Sequence, residues 1–223
     1  NKHKDLYKLK SLFDSETADK LVSGCKFNDR SRRDAWVNLS SVDDLIEKIE
    51  ETINIPREFY ENINVVEYKS GVVHNKHYTA YDLQTERGKE YTKKLGQRLF
   101  TISLVLSDSI GFSFPTIKSA TNLIKGDVLF YKNIGNNSFQ RDSDMQRTIL
   151  NNNSSDGYLA NIYVRERSKT GEYFLGENYF TQKLSNDENI VTVDNIELVV
   201  EEKNKTAEKT AEKTADSEKS SED

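Results

Sequence analysis

The sequence has few histidine, proline and cysteine residues. Among 223 residues there are three histidines, two prolines and one cysteine. Because a single cysteine, Cys25, cannot form a disulfide within the chain, a reducing intracellular compartment is favoured. No apolar run approaches the ~20 residues that a membrane-spanning helix needs, and no signal-peptide pattern precedes the first predicted helix. We therefore expect a soluble protein without a membrane span.

Charge of one sign is not concentrated anywhere in the chain. The formal net charge of −5 is spread over abundant lysine, glutamate and aspartate. No basic block is large enough to form a phosphate-binding surface, so we expect no nucleic-acid partner.

The last part of the chain lacks large apolar residues altogether. From residue 201 onward, a Lys-Thr-Ala-Glu repeat passes into a run of serine, aspartate, glutamate and lysine. Such a segment cannot bury a core, so residues 201–223 are predicted to form a disordered tail. Residues 1–200 are long enough for one domain with a sizeable core.

A helical pattern occupies the first quarter of the chain. Apolar residues recur at helical spacing between Leu9 and Lys26, and Asp14 or Ser15 can cap a helix there. A second helix is predicted from Val42 to Ile53, with its apolar residues on one face. Pro56 ends it, because proline cannot continue a helix.

After Asn62, β-branched and aromatic residues replace the helical period. The segments predicted as strands are 64–68, 99–106, 127–131, 158–164 and 189–200. The second of these is almost continuously apolar, as expected of a strand buried between two layers. Helices followed by strands predict an α+β fold in which the helices pack against one sheet.

Six segments, spread over most of the chain from Leu9 to Arg167, carry a family resemblance. They are 9–22, 30–36, 65–71, 98–108, 111–115 and 125–133. In this order they resemble segments of prolyl 4-hydroxylase catalytic domains, members of the Fe(II)/2-oxoglutarate-dependent dioxygenase superfamily. The resemblance implies a double-stranded β-helix, or jelly roll, with the N-terminal helices packed on one sheet.

The same resemblance implies an iron site that this chain does not reproduce. Family members hold Fe(II) with two histidines and one carboxylate, which leaves three positions for 2-oxoglutarate and oxygen. The first histidine position falls on His77, and the carboxylate position falls on Thr79, whose neutral hydroxyl is a poor iron ligand. Asp82 and His74 lie nearby, but neither is spaced to share a strand face with His77. We take His77 and Asp82 as the candidate metal ligands.

The second histidine of the family also has no counterpart. Its position falls within Arg147–Leu150, where no donor suited to iron occurs, and the remaining histidines are His3 and His74. Asp142 and Asp144 lie close by, but an oxygen-rich site favours magnesium or manganese. Iron is therefore not expected to bind as it does in the family.

The cosubstrate anchor differs as well. Family members fix 2-oxoglutarate with a lysine near the start of the last core strand. The corresponding stretch, 156–165, has no lysine, and its only cation, Arg165, is expected at the solvent-facing end of the strand. We expect Arg98 to take the place of that lysine only if its side chain points inward. We take Arg165 and Tyr68 as the candidate cofactor-binding residues.

Two functions from different classes remain open. With carboxylate, second histidine and lysine displaced, the sequence favours a pseudoenzyme: a binding or structural module with a protein partner and no cofactor. The alternative is an active hydroxylase of a protein substrate, dependent on Fe(II) and 2-oxoglutarate, that uses His77, Asp82 and a donor from 135–144. Recognition is expected at loop 151–155 and at segment 86–94, since loops on a rigid scaffold usually carry it.

Overall fold

Strands outnumber helices in the computed structural model, which describes residues 6–29, 33–136, 138–174 and 188–193. The helices are α1 (Ser15–Ser23), α2 (Asp43–Ile53) and α3 (Glu86–Thr92). The strands are β1 (Leu6–Leu9), β2 (Asp34–Val37), β3 (Ile63–Tyr68), β4 (Val73–His77), β5 (Arg98–Val105), β6 (Ile110–Phe114), β7 (Ser119–Leu123), β8 (Val128–Lys132), β9 (Arg147–Asn151), β10 (Gly157–Arg165) and β11 (Ile190–Thr192). None of these helices is long and apolar enough to cross a membrane.

The strands form two antiparallel sheets. The large sheet has the order β11-β1-β8-β5-β10-β3-β2, and the small sheet has the order β4-β9-β6-β7. Strands that pair in a sheet can lie far apart in the chain. For example, β10 pairs with β3 on one side and with β5 on the other. This arrangement is a jelly roll, and it confirms the α+β double-stranded β-helix that the sequence predicted.

Two apolar cores lie on opposite faces of the large sheet. On the outer face, α1 and α2 pack Leu21, Ile46 and Ile49 against sheet residues that include Ile102 and Phe130. On the inner face, the two sheets enclose a second core; its members include Tyr68, Phe112, Tyr131 and Ile149. The helices therefore cover one sheet, as predicted, and leave the space between the sheets for a site.

The N-terminal segment differs from its prediction. The helix begins only at Ser15, where the Asp14 carboxylate accepts a hydrogen bond from the backbone N–H of Thr17 at 2.8 Å. Residues 6–9 form β1 instead, because they pair with β8 in the large sheet. Asp14 as the helix cap is confirmed, whereas no strand was predicted at residues 6–9.

Contacts around Asp127 fasten this segment to the sheet. The carboxylate is 1% exposed, accepts a hydrogen bond from the Ser11 N–H at 3.0 Å and lies 3.0 Å from the Lys8 ammonium. The preceding Gly126 has a φ of +95°, and a Cβ there would lie 2.5 Å from the Phe13 carbonyl oxygen. Glycine is needed for both reasons.

The remaining segment predictions have mixed outcomes. Strands at 64–68, 99–106, 127–131 and 158–164 match β3, β5, β8 and β10 within one or two residues. Four strands, β4, β6, β7 and β9, were not predicted; each has only five residues, and β4, β7 and β9 carry several polar ones. Of the strand predicted at 189–200, residues 190–192 form β11, and residues 194–200 lie outside the described residues. The tail at 201–223 also lies outside them, so the domain division stays a prediction.

Candidate functional site

The candidate site lies where β4 and β9 pair at one end of the space between the sheets. His77 stands directly opposite Arg147 in this pair, and His74 stands opposite Ile149. Residues that face each other across an antiparallel pair project to the same side. Since Ile149 belongs to the core between the sheets, this register turns His74, His77 and Arg147 toward the inside.

A β-bulge explains how both histidines reach one face. Three steps along β4, from His74 to His77, match two steps along β9, from Ile149 to Arg147, and the register shifts between them. An inserted residue of this kind breaks the alternation of side chains. The sequence argument that strand spacing separates the two histidines is therefore wrong, because it assumed a regular strand.

His77 and Asp82 have other partners in this structure. The Nδ1 atom of His77 lies 3.0 Å from the carbonyl oxygen of Asn75. The carboxylate of Asp82 lies 2.9 Å from the guanidinium of Arg141 and also accepts the N–H of Gln84 at 3.0 Å. Within the described ranges, no group of three histidine, cysteine, aspartate or glutamate side chains could hold a metal ion.

Arg147 begins the range 147–150 within which the family resemblance placed the second histidine. Its side chain is 3% exposed, and its guanidinium carbon lies 5.1 Å from the centre of the Tyr131 ring. A guanidinium is always protonated in proteins and has no lone pair to give to a metal. Together with the neutral Thr79, which is 8% exposed, Arg147 makes the residues present a poor match for Fe(II).

Some further polar atoms in the described part of the chain are buried and have no hydrogen-bond partner there. They belong to a set of residues that we call the mouth cluster: Thr79, Tyr131, Asn133 and Arg147. Within the described chain, no hydrogen-bond partner is found for Thr79 Oγ1, Tyr131 Oη, Asn133 Nδ2, Arg147 Nε or Arg147 Nη1. The burial of Arg147 was missed because β9 was not predicted as a strand and arginine is ordinarily exposed.

The candidate cosubstrate residue Tyr68 lines the same inner space. It is 4% exposed, and its ring centre lies 4.4 Å from that of His74 in an edge-on arrangement. Its carbonyl oxygen accepts a hydrogen bond from Asn151 Nδ2 at 2.9 Å. Tyr68 therefore stands beside the histidine pair, at the wall of the inner core.

Arg165 is buried rather than solvent-facing, which corrects the sequence expectation. Its side chain is 5% exposed, lies 2.9 Å from a Glu61 carboxylate oxygen and donates to the Tyr91 carbonyl at 2.9 Å. Arg98 donates to both oxygens of the same carboxylate at 2.7 Å. We call Glu61, Arg98 and Arg165 the Glu61 cluster. The burial of Arg165 was missed because Glu61 lies 104 residues away in the chain.

Glu61 sets the charge state of this cluster. Burial by itself would lower the pKa of Arg98, but the hydrogen bonds and negative charge of Glu61 outweigh it and raise that pKa above its ordinary value. The guanidinium carbon of Arg98 also lies 3.8 Å from the centre of the Tyr163 ring. Arg98 is thus held as a cation by a carboxylate and an aromatic face.

An open cleft of about 440 Å³ adjoins the Glu61 cluster. Its lining includes Arg165, Trp36, Tyr91 and Lys94. Trp36 and Tyr91 are 54% and 49% exposed. Tyr91 and Lys94 belong to segment 86–94, which forms α3 and the turn after it.

The other segment expected to carry recognition is tied to the inner core. Asn151 in segment 151–155 is fully buried, and besides the Tyr68 carbonyl its amide binds the Ser155 carbonyl at 2.8 Å. Recognition at either segment stays a prediction.

Comparisons with known proteins agree with this architecture. No protein-family model matches the chain. A putative prolyl 4-hydroxylase of Acanthamoeba polyphaga mimivirus is 25% identical over 161 residues, which are 70% of this chain and 65% of the relative. The chain thus spans slightly less than two thirds of that protein's length.

Solved structures give the same result for the fold. The viral collagen prolyl hydroxylase of Paramecium bursaria Chlorella virus 1, solved as a 2OG complex, is 21% identical with a TM-score of 0.59. That match covers 73% of this chain and 97% of the other. A truncated form of the same enzyme, also 21% identical, matches with a TM-score of 0.56 over 71% and 88% of the two chains. The chain accordingly has the double-stranded β-helix fold of these prolyl hydroxylase structures, and its sequence is similar to that of the viral relative.

Proposed function

We propose that this chain is a binding module that has kept the prolyl hydroxylase fold and does not carry out iron-dependent hydroxylation. The observation that supports this most is the register of β4 and β9, which sets Arg147 directly opposite His77. A second metal ligand would have to come from that position. A guanidinium there supplies a positive charge in place of a lone pair.

Electrostatics argues against a divalent ion beside Arg147. Two like charges a few ångströms apart repel strongly where water is excluded, and Arg147 is 3% exposed. The family pattern offsets the metal charge with a carboxylate, but Thr79 is neutral and Asp82 is engaged by Arg141. The site therefore gains a cation and lacks the anion that iron would need.

The cosubstrate side of the site supports the same proposal. Arg165, the candidate anchor for 2-oxoglutarate, already binds Glu61 and the Tyr91 carbonyl. Arg98 shares the same carboxylate. Binding a dicarboxylate at Arg165 would place it beside Glu61, and the two negative charges would oppose each other.

We further infer that the partner is a protein. Exposed aromatic side chains with nearby cations are common in protein interfaces. Trp36, Tyr91 and Lys94 give the cleft this composition. Fe(II) and 2-oxoglutarate are not needed for such binding.

One observation favours the alternative, an active Fe(II)- and 2-oxoglutarate-dependent hydroxylase of a protein substrate. The bulge in β4 turns both His74 and His77 toward the inner space. Two imidazoles on one face could hold a metal if Asp82 left Arg141 and supplied a carboxylate. Tyr68 and Arg165 would then be the candidate cosubstrate residues.

Titration with a metal separates the two functions. Metal-stripped protein is titrated calorimetrically with Mn(II) under anaerobic conditions, with and without 2-oxoglutarate. The proposal expects no binding by the native chain. It expects Mn(II) binding once the family ligands are restored in a Thr79→Asp/Arg147→His double variant.

A matched control and a second variant complete the design. The pair Thr79→Asn/Arg147→Gln changes the same positions without supplying metal ligands, so it should stay inert. Mn(II) binding by the native chain that tightens with 2-oxoglutarate would overturn the proposal. In that case, His77→Ala should abolish the binding, since a ligand set rarely survives the loss of its best donor.

A further inference from the structure

Arg147 is a buried cation with few partners in the part of the chain that the structure describes. The residue is 3% exposed, and no hydrogen-bond partner of Nε or Nη1 is found within that part. No ion pair of Arg147 is found within the described residues, whereas the buried Arg165 has one with Glu61. A buried charge left uncompensated is strongly unfavourable. Something outside the described chain must satisfy it.

Two more donors lie on the same side of the inner space. Tyr131 lies in β8 and Asn133 directly follows that strand; two residues apart along an extended backbone, they point to one face. Tyr131 is fully buried and Asn133 is 3% exposed. Neither the Tyr131 hydroxyl nor the Asn133 Nδ2 has a partner in the described chain.

A hydrogen bond fixes which end of the Asn133 amide is offered. The Thr101 hydroxyl donates to Asn133 Oδ1 at 2.9 Å, so the acceptor end of the amide is occupied. The NH₂ end is left as a donor. The Arg147 guanidinium lies beside the Tyr131 ring, 5.1 Å from its centre, and Asn133, two residues along the chain from Tyr131, offers a further N–H group. Arg147 adds a full positive charge.

We propose that Arg147 anchors a buried binding site for a small carboxylate, with Tyr131 and Asn133 as additional donors. A water molecule could accept these hydrogen bonds but would leave the charge uncompensated. A carboxylate does both, because its oxygens accept charge-assisted hydrogen bonds and carry the opposite charge. This inference rests on the proposed function, since the carboxylate takes the place that a metal would need.

The test uses the full metal-free chain in a buffer without carboxylates. Acetate and succinate are titrated calorimetrically, and thermal unfolding is followed over the same concentrations. Binding should appear with at least one of them and raise the unfolding temperature, as ligands of the folded state do. Arg147→Gln should weaken that binding by about tenfold or more, because the charged anchor is lost.

Two further variants guard against a change in folding. Tyr131→Phe removes a hydroxyl for which the described residues offer no partner, so the protein should fold normally and bind the carboxylate more weakly. Arg87→Gln is the matched control, because Arg87 is an exposed arginine over the Tyr91 ring. It should leave carboxylate binding unchanged.

The outcomes distinguish this inference from the proposed function. If neither acetate nor succinate binds and Mn(II) does not bind either, the carboxylate site is refuted and the non-catalytic module stands. If inorganic phosphate binds and the carboxylates do not, the assigned ligand class is wrong. Carboxylate binding that Arg147→Gln leaves intact also refutes the site. Mn(II) binding by the native chain would overturn both proposals.

Discussion

Two buried arginine sites in this protein differ in whether a carboxylate pairs with the guanidinium. Arg165 and Arg147 are 4% and 3% exposed, so each guanidinium has lost most of its water. In the Glu61 cluster, one carboxylate serves Arg98 and Arg165 together. In the mouth cluster, Arg147 has no carboxylate among the residues that the structure describes.

The difference separates a charge that supports the fold from one that awaits a ligand. Removing one partner of a buried ion pair usually costs far more than replacing the whole pair by apolar residues. The Glu61 cluster should therefore be sensitive to mutation in the isolated protein. Arg147 should be dispensable for folding: without an anion its removal should not destabilise the protein, and a stabilising effect of Arg147 should appear only when an anion is bound.

The largest effect is expected from Glu61→Gln. The change leaves two buried guanidiniums without a negative charge, and it should lower the free energy of unfolding by about 3–5 kcal/mol. Urea unfolding followed by circular dichroism would measure it. Glu58→Gln is the control at an exposed glutamate, with an expected change within about 0.5 kcal/mol. A loss below about 1 kcal/mol for Glu61→Gln would remove the contrast between the clusters.

Arg98→Lys should have the next largest effect. Lysine keeps the charge but cannot keep both hydrogen bonds to Glu61, nor can it lie flat against the Tyr163 ring. We expect a loss of about 2 kcal/mol in the free energy of unfolding. If lysine is tolerated without loss, charge alone explains the cluster, and the geometry of the guanidinium does not matter.

Arg147→Met should have the opposite sign. Replacing an uncompensated buried cation by an apolar side chain should raise the free energy of unfolding by about 1–2 kcal/mol in carboxylate-free buffer. The same urea experiment measures it, with the native chain as reference. Adding the carboxylate that binds should stabilise the native chain and leave the variant unchanged. A clear destabilisation would place Arg147 with the Glu61 cluster as a structural residue.

The smallest effect is expected from Tyr131→Phe. Its hydroxyl has no partner in the described chain, so its removal from the ligand-free protein should change the free energy of unfolding by less than about 0.5 kcal/mol. Tyr163→Phe would serve as a comparison at the other arginine site. A loss above about 1 kcal/mol for Tyr131→Phe would show that the hydroxyl has a structural role.

Much of the fold could be predicted because it depends on local pattern. α2 has a continuous apolar face and β5 is almost wholly apolar, so the sequence of each element predicts both its type and its burial. β1 could not be predicted, because four residues carry little signal and become a strand through pairing with β8. Distance along the chain, rather than composition, hid that element.

The candidate site shows the same division. The family resemblance located the second ligand position within 147–150, and the structure sets Arg147 opposite His77. The bulge that turns His74 inward depends on the pairing of β4 with β9, which no local pattern shows. The carboxylate that pairs with Arg165 belongs to Glu61, which lies outside β10, so the spacing of residues within β10 could not reveal the pair.

The position of β1 also limits when the protein can fold. β1 lies between β8 and β11 in the large sheet. Just after β1, the backbone N–H of Ser11 donates a hydrogen bond to the carboxylate of Asp127, which lies 116 residues further along the chain. During synthesis, the first strand must therefore wait unpaired until β8 has left the ribosome. β11 follows β8 by roughly 60 residues, a delay of about 3–12 s at ~5–20 residues per second. During that interval, the edge of β1 that later pairs with β11 has no partner strand, and a chaperone or a second nascent chain can pair with it.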